Sequence, residues 1–264
     1  MIHFGDDMDT IYDLFRIDGK KAIVTGGAKG LGRSMAEALV EAGCEVAVIG
    51  SSDACFRTAA ELTARGPGTC AAARGDFLRR EEVYSSFEKS LKLLGGDVDI
   101  LITAAGIQRR HLAENFPVGD WDDILRVNLD AVFICCQLAG RIMLAKGRGK
   151  IINISSMVAH FGGQTVPAYT ASKAGVTQLT RELSNDWLGR GVNVNAIAPG
   201  YMHTDMCDAL VKDPVRGKQI LDRIPAGRWG KPEDLKGTTI FLSSRASDYL
   251  GGAIIPVDGG YLVK

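Results

Sequence analysis

The sequence predicts one α/β domain, a doubly wound parallel sheet with helices on both faces. Three observations carry this. Short β-rich runs alternate with longer amphipathic runs along all 264 residues, the pattern of βαβ units. The strand runs are nearly continuous in apolar residues, as expected where both faces of a sheet are covered. The first strand also leads through a glycine-rich turn directly into a helix, a Rossmann-type beginning.

Strands are expected at 21–25, 45–49, 69–74, 100–103, 150–155, 193–198 and 253–257, and helices at 31–42, 54–65, 80–94, 121–145, 168–188 and 232–243. No repeat, linker or low-complexity tract interrupts them, so residues 1–264 read as a single domain. The irregular stretch 201–230 is far longer than an ordinary connection, and long ordered loops are often lids, so a substrate lid is expected there.

Composition excludes several classes. The 31 basic and 31 acidic residues give a formal charge of zero, against the basic excess of a nucleic-acid binder. No apolar run is read as reaching the roughly 18 to 20 residues that cross a bilayer. Residues 1–18 carry Asp6, Asp7, Asp9 and Asp13 without a basic start and apolar stretch, so no secretory signal is expected. The six cysteines form no C-x-x-C pair and read as reduced thiols of a cytoplasmic protein, and with only four histidines no metal site is expected.

The turn Thr25-Gly26-Gly27-Ala28-Lys29-Gly30-Leu31-Gly32 places glycines at 26, 30 and 32, a spacing unlike G-x-G-x-x-G. Glycines let the backbone approach a ligand, and the N–H groups that open a helix suit a phosphate, so the turn reads as a dinucleotide cradle. At the end of the second strand, an acid would hold the ribose hydroxyls of NAD and an arginine would favour the extra phosphate of NADP. Gly50 and Ser51 stand there instead. Lys29 is within reach of a 2′-phosphate, so both nucleotides stay open. Asp76, followed by Phe77, is placed to meet the adenine or to cap a helix.

Tyr169 and Lys173 are four apart and share a helix face. An ammonium beside a phenol stabilises the phenolate and makes an acid/base usable near neutrality. Lowering the phenol by roughly three units takes about 4 kcal/mol.

Thr25 to Gly32, Asp76, Ala104-Ala105-Gly106, Asn128, Ser156, Tyr169, Lys173 and Pro199-Gly200 occur in one order over nearly the whole chain. Together they resemble the short-chain dehydrogenase/reductase family. The resemblance implies a nicotinamide-dependent interconversion of a secondary alcohol and a ketone. It implies that Tyr169 transfers the proton, Lys173 lowers its pKa and binds the nicotinamide ribose, and Ser156 holds the substrate oxygen. Asn128 would anchor a water leading to Lys173. Ser156 is chosen over Ser155 because it lies thirteen residues before Tyr169, as the family's serine does. Pro199-Gly200-Tyr201-Met202-His203-Thr204 resembles the family turn that meets the nicotinamide, with Met202 at the carboxamide and Thr204 at the pyrophosphate. One departure stands out: Thr103-Ala104-Ala105-Gly106 where the family often has Asn-Asn-Ala-Gly.

The stretches 107–110, 193–202, 220–230 and 257–262 further resemble the family's 2-deoxy-D-gluconate 3-dehydrogenase branch, which includes 2-dehydro-3-deoxy-D-gluconate 5-dehydrogenases. This implies a sugar-acid substrate, NAD as the cofactor to lean towards, and a homotetramer joined through the helices 121–145 and 168–188. Arg109 at the carboxyl edge suits a carboxylate; the alternative is that Arg109 and Arg110 are solvated or pair with Glu114. His160, Gln164 and His203 are polar residues flanking the site. Rival readings are an NADPH-dependent 3-oxoacyl-carrier-protein reductase, a gluconate 5-dehydrogenase and, in a different class, a non-catalytic nucleotide sensor.

Overall fold

The computed structural model describes residues 10–264; Asp6, Asp7 and Asp9 lie outside them. Seven strands form one sheet: β1 Lys21–Thr25, β2 Glu45–Gly50, β3 Thr69–Arg74, β4 Ile100–Thr103, β5 Gly149–Ile154, β6 Val192–Pro199 and β7 Ile254–Val257. Their order is β3-β2-β1-β4-β5-β6-β7, and every pairing is parallel. The chain turns back on itself between β1 and β4, and a crevice opens there at the carboxyl ends of the strands.

The helices are α1 Gly30–Glu41, α2 Ala54–Thr63, α3 Arg80–Leu93, α4 Val118–Leu125, α5 Ala131–Lys146, α6 Val158–Phe161, α7 Pro167–Trp187, α8 Asp208–Lys212, α9 Arg216–Asp222 and α10 Lys236–Ser243. Local chemistry sets their ends. Proline, which has no N–H to lose, opens α7, and Gly147 at φ +67° closes α5 in the left-handed region. Two cores lie on opposite faces of the sheet. Ile23, Phe87, Leu101, Cys136, Met143 and Val176 belong to the one beneath α3, α5 and α7. Val24, Met35, Leu39, Leu62, Ile102 and Leu242 belong to the other, beneath α1, α2 and α10.

Two expectations are corrected. The helix expected at 121–145 is in fact α4, a π-helical turn Arg126–Asp130 and α5. Asn128 in that turn is fully buried, and its amide bonds outside the helix rather than along it. The whole stretch Val118–Lys146 also contains an 18-residue window of mean hydropathy 1.5, long and apolar enough to cross a membrane by composition. Arg126 and Asp130 hide its length in the sequence. In the fold it is a core helix, with Val127, Ala131, Cys135, Ala139 and Met143 packed in the first core.

The strands beneath the site are cross-linked by a buried amide. Asn153 accepts the Thr103 hydroxyl at 2.8 Å and donates to the Thr180 hydroxyl at 3.0 Å. Thr103 thus ties β4 to β5 by a side-chain bond, at the edge of the segment that departs from the family pattern. Asn153→Ala should leave two buried hydroxyls short of a partner and cost about 2–3 kcal/mol. Urea unfolding would read this as a lower midpoint with an unchanged slope.

Candidate active site

The loop after β1 is shaped by close backbone contacts. Gly26 has φ +67°, and a Cβ there would stand 2.7 Å from Ala105 Cα. A Cβ on Gly32 would overlap the Gly26 carbonyl oxygen. α1 begins without a side-chain cap, its first-turn N–H groups facing the crevice. Gly30 looks across to Thr204, 3.9 Å from where its Cβ would be. A bare backbone, an uncapped helix start and a facing wall fit the diphosphate of a dinucleotide. Leu31 packs partly into the second core, so its contribution to the cradle is main-chain.

The other cofactor candidates divide. Lys29 is exposed and pairs with Asp205 at 3.3 Å, and Ser51 is exposed at the end of β2. Asp76 is no helix cap: one carboxylate oxygen accepts the Leu78 N–H at 3.1 Å, while α3 starts after Arg79. The Phe77 side chain is 7% exposed and belongs to the first core, which corrects its reading as a cofactor-facing group. The N–H groups of Ala104 and Ala105 are spent on the Thr25 carbonyl and hydroxyl. Their role is therefore close packing beneath the crevice, together with Gly106. Pro199 ends β6, and the Gly200 N–H donates to the Val257 carbonyl at 3.0 Å. Met202 is buried in a bridge with Gly230 that runs through Tyr201 and His203. The Thr204 carbonyl accepts the Cys207 N–H at 2.9 Å.

At the crevice floor the structure brings Ser156, Tyr169, Lys173 and Asn128 together. The Ser156 hydroxyl faces the Tyr169 phenol and favours its ionised form. Ser155 points away and bonds the Thr177 hydroxyl at 2.6 Å, which separates the two adjacent serines. Lys173 lies one turn after Tyr169 on α7, its Nζ 5.7 Å from the phenol ring centroid. It donates to the Ile154 carbonyl at 2.7 Å. Asn128 holds both backbone groups of Ile107, accepting its N–H at 2.8 Å and donating to its carbonyl at 2.9 Å. A Cβ on Gly106 would face Asn128 Oδ1 at 3.3 Å and Lys173 Nζ at 3.8 Å.

The electrostatics differ from the sequence expectation. Burial pushes the Tyr169 phenol up to about 12, against the Ser156 hydroxyl and the Arg110 guanidinium, which lower it. Burial also brings the Lys173 ammonium down to about 8. Lys173 answers to a backbone carbonyl, so the expected lowering of the phenol by lysine is absent from this arrangement.

Arg109 is corrected too. Its Nη1 sits between Asp120 at 2.9 Å and Asp123 at 2.8 Å, not Glu114, and so is already neutralised. The unpredicted residue is its neighbour. Arg110 is exposed, and its charge acts on Tyr169, Tyr201 and Cys207 together. Arg109 thus turns to α4, while the charge of Arg110 acts on the residues of the cleft. The acids at 120 and 123 were the available signal. His160 and Gln164 are exposed on the segment between Ser156 and Tyr169, and His203 is exposed beside Met202. Tyr201 packs edge-on against Trp229 and Tyr261, at 5.5 and 5.2 Å between ring centroids.

A family model described as Enoyl-(Acyl carrier protein) reductase matches residues 26–262. A 2-dehydro-3-deoxy-D-gluconate 5-dehydrogenase of Bacillus subtilis (strain 168) is 43% identical over 258 residues, covering 97% of this chain and 100% of the relative. One of the same name from Escherichia coli (strain K12) is 43% identical over 255 residues, covering 96% and 100%. The crystal structure of a gluconate 5-dehydrogenase from Burkholderia cenocepacia J2315, in complex with NADP and tartrate, superposes with a TM-score of 0.90. It is 36% identical and covers 96% of this chain and 98% of that one.

A buried ammonium held below its solution pKa destabilises the fold. Lys173 ionises at about 8 when folded and near 10.4 when unfolded. Between these values the unfolded chain binds more protons, so the penalty is complete below pH 8 and gone above about 10.5. Lys173→Met should therefore raise stability at pH 7 by on the order of 1–2 kcal/mol, after losing the bond to Ile154. Denaturant unfolding at pH 7 and pH 10 measures it. A gain that does not shrink at the higher pH would contradict burial of the ammonium as its cause.

Proposed function

The chain belongs to the short-chain dehydrogenase/reductase family and is an NAD(P)-dependent dehydrogenase; from that premise we propose that it interconverts a secondary alcohol and a ketone on a sugar acid, in the manner of a 2-deoxy-D-gluconate 3-dehydrogenase. One observation carries the reading: the Tyr169–Ser156 hydroxyl pair lies beside the Lys173 ammonium, within the field of the Arg110 guanidinium. The names of the sugar-acid relatives support the substrate class.

The bound nicotinamide supplies the hydride acceptor in one direction and the donor in the other. Ser156 donates to the substrate oxygen and holds the reacting carbon in place. Tyr169 takes the hydroxyl proton on oxidation and returns it on reduction. Lys173 orients the nicotinamide ribose, and Ser156 and Arg110 oppose the burial that keeps Tyr169 protonated. Asn128 fixes Ile107, and through it the wall that carries Arg110; a water held by Asn128 would connect Lys173 to solvent. Arg110 takes the substrate carboxylate through two parallel N–H bonds. His160 and Gln164 meet hydroxyls of the substrate.

The resemblance favours NAD. The ribose end of the crevice has no carboxylate at Gly50, where a Cβ would stand 2.9 Å from that of Cys55, and it has Lys29 and Ser51 beside it. This supports NADP as a second nucleotide. Lys29→Ala should lower kcat/KM for NADP about tenfold and leave that for NAD nearly unchanged.

Residues 201–230 act as the lid: Cys207 reaches the field of Tyr169, and Asp205 meets Lys29 over the groove. The remaining chain folds around one sheet as a single catalytic domain. The exposed Phe133 and Tyr84 and the half-buried Leu179 line a 440 Å³ hollow on the outer face of α5 and α7, which supports a homotetramer joined there. Six free thiols, four of them buried, suit the cytoplasm.

Initial rates with 2-deoxy-D-gluconate and the uncharged 2-deoxyhexitol test the substrate class. The acid should win by at least about tenfold in kcat/KM, and Arg110→Met should erase most of that advantage. Equal rates in the unaltered enzyme would remove the carboxylate argument. Arg110 lowers the Tyr169 pKa, so its loss raises it. The rising limb of alcohol oxidation against pH should then move to higher pH in Arg110→Met.

A further inference from the structure

Among the described residues, Thr165 is the one non-glycine with a positive φ, +64°. A β-branched residue is disfavoured there, and such outliers persist where surroundings hold them. Thr165 lies between Ser156 and Tyr169, and its carbonyl accepts the His111 N–H at 3.1 Å. Its hydroxyl donates to the Gln164 carbonyl at 2.6 Å. His111 immediately follows Arg110. One backbone bond therefore joins the loop after β4 to the loop before α7.

The His111 ring is anchored in turn. Its Nε2 lies 2.8 Å from Asp120 Oδ2, and its plane meets Phe116 edge-on at 5.2 Å. The other Asp120 oxygen accepts Arg109 Nη1 at 2.9 Å, and Asp123 accepts the same nitrogen at 2.8 Å. Both residues that flank Arg110 are thus gripped by one carboxylate on α4. A lone exposed pair would contribute little. This group has a guanidinium and an imidazole sharing one carboxylate that is 26% exposed, which restricts the loop more than a single contact does.

We propose that His111, held by Asp120, is a positioning residue that locks the loop carrying Arg110 to the loop carrying Gln164, and so sets the width of the substrate cleft. The proposal rests on the reading of Arg110 as the carboxylate anchor. It assigns Arg109 a different task from the one its sequence position suggested. Arg109 secures the loop from the helix side while Arg110 faces the ligand. Uncharged ends of a substrate would not feel the lock; an acid held at Arg110 while its alcohol meets Tyr169 would.

The experiment combines hydrogen exchange with steady-state kinetics on Asp120→Ala, His111→Ala, the double variant and Asp120→Asn. In Asp120→Ala, amide exchange should quicken together in peptides spanning 105–116 and 160–168. KM for 2-deoxy-D-gluconate should rise about tenfold with kcat within about twofold and nucleotide affinity unchanged. The double variant should do no more than Asp120→Ala alone, because the His111 link is already broken there. Asp120→Asn keeps an acceptor for His111 and should restore most of the loss. Quickened exchange in one loop only, additive effects, or a fall in kcat at constant KM would overturn the proposal. Should the unaltered enzyme turn over acid and hexitol alike, the Arg110 reading fails, and the coupled exchange still decides the lock.

Discussion

All seven strands run in one direction, and the rest of the molecule depends on that constraint. Parallel pairing sends every strand's carboxyl end to the same edge, so residues far apart in sequence leave the sheet side by side. Thr25, Thr103, Ile154 and Pro199 end neighbouring strands. The glycine loop, the Ala104–Gly106 turn, Ser156 and the Pro199–Thr204 segment follow them directly. β1 and β4 are adjacent but their following chains go to opposite faces, and this leaves the crevice open. No long-range attraction between the site residues is needed to assemble it.

Within that crevice, stability and chemistry oppose each other. An ammonium that is 3% exposed and answered by one backbone carbonyl costs free energy. The phenol beside it is also pushed away from its charged form. Neither arrangement serves the fold. The surrounding core tolerates them because Val176, Leu183 and the buried Asn153–Thr180 bond hold α7 against the sheet independently of the two ionisable groups. Strain of this kind at one spot in an otherwise well-packed fold marks a site maintained for chemistry.

The strands were legible in the sequence because a sheet buried on both faces needs uninterrupted apolar runs, and those are local. 21–25, 69–74 and 100–103 agree with the structure at both ends. Asn128, Ser156, Tyr169 and Lys173 were singled out for a different reason, since ordered motifs carried them, and the structure brings the four together at the crevice floor. What could not be read locally was set by tertiary contact. The π turn at Asn128 exists because Ile107 offers it two backbone partners. Phe77 looks like a neighbour of the adenine in sequence, yet its side chain is claimed by the core. The pairing of Tyr169 with Lys173 suggested a lowered phenol, but burial and the Ile154 carbonyl are not visible in the spacing of the two residues.

The two adjacent arginines show how far a sequence argument reaches at such an edge. A carboxylate binder was expected in the loop after β4 at Arg109, and Arg110 stood beside it, not considered for that role. Choosing between them requires knowing which one meets the acids of α4, eleven and fourteen residues onward. An arginine already between two carboxylates has little to offer a third, because further anions would compete with partners fixed in place. An arginine left exposed beside a phenol keeps its donors for a ligand and its field for the proton transfer. Neutralising one of a pair leaves the other as the charge the loop presents, at a place the helix determines. The chemistry proposed for the site belongs to the sheet edge, and the selectivity proposed for it belongs to the loop that α4 holds above it.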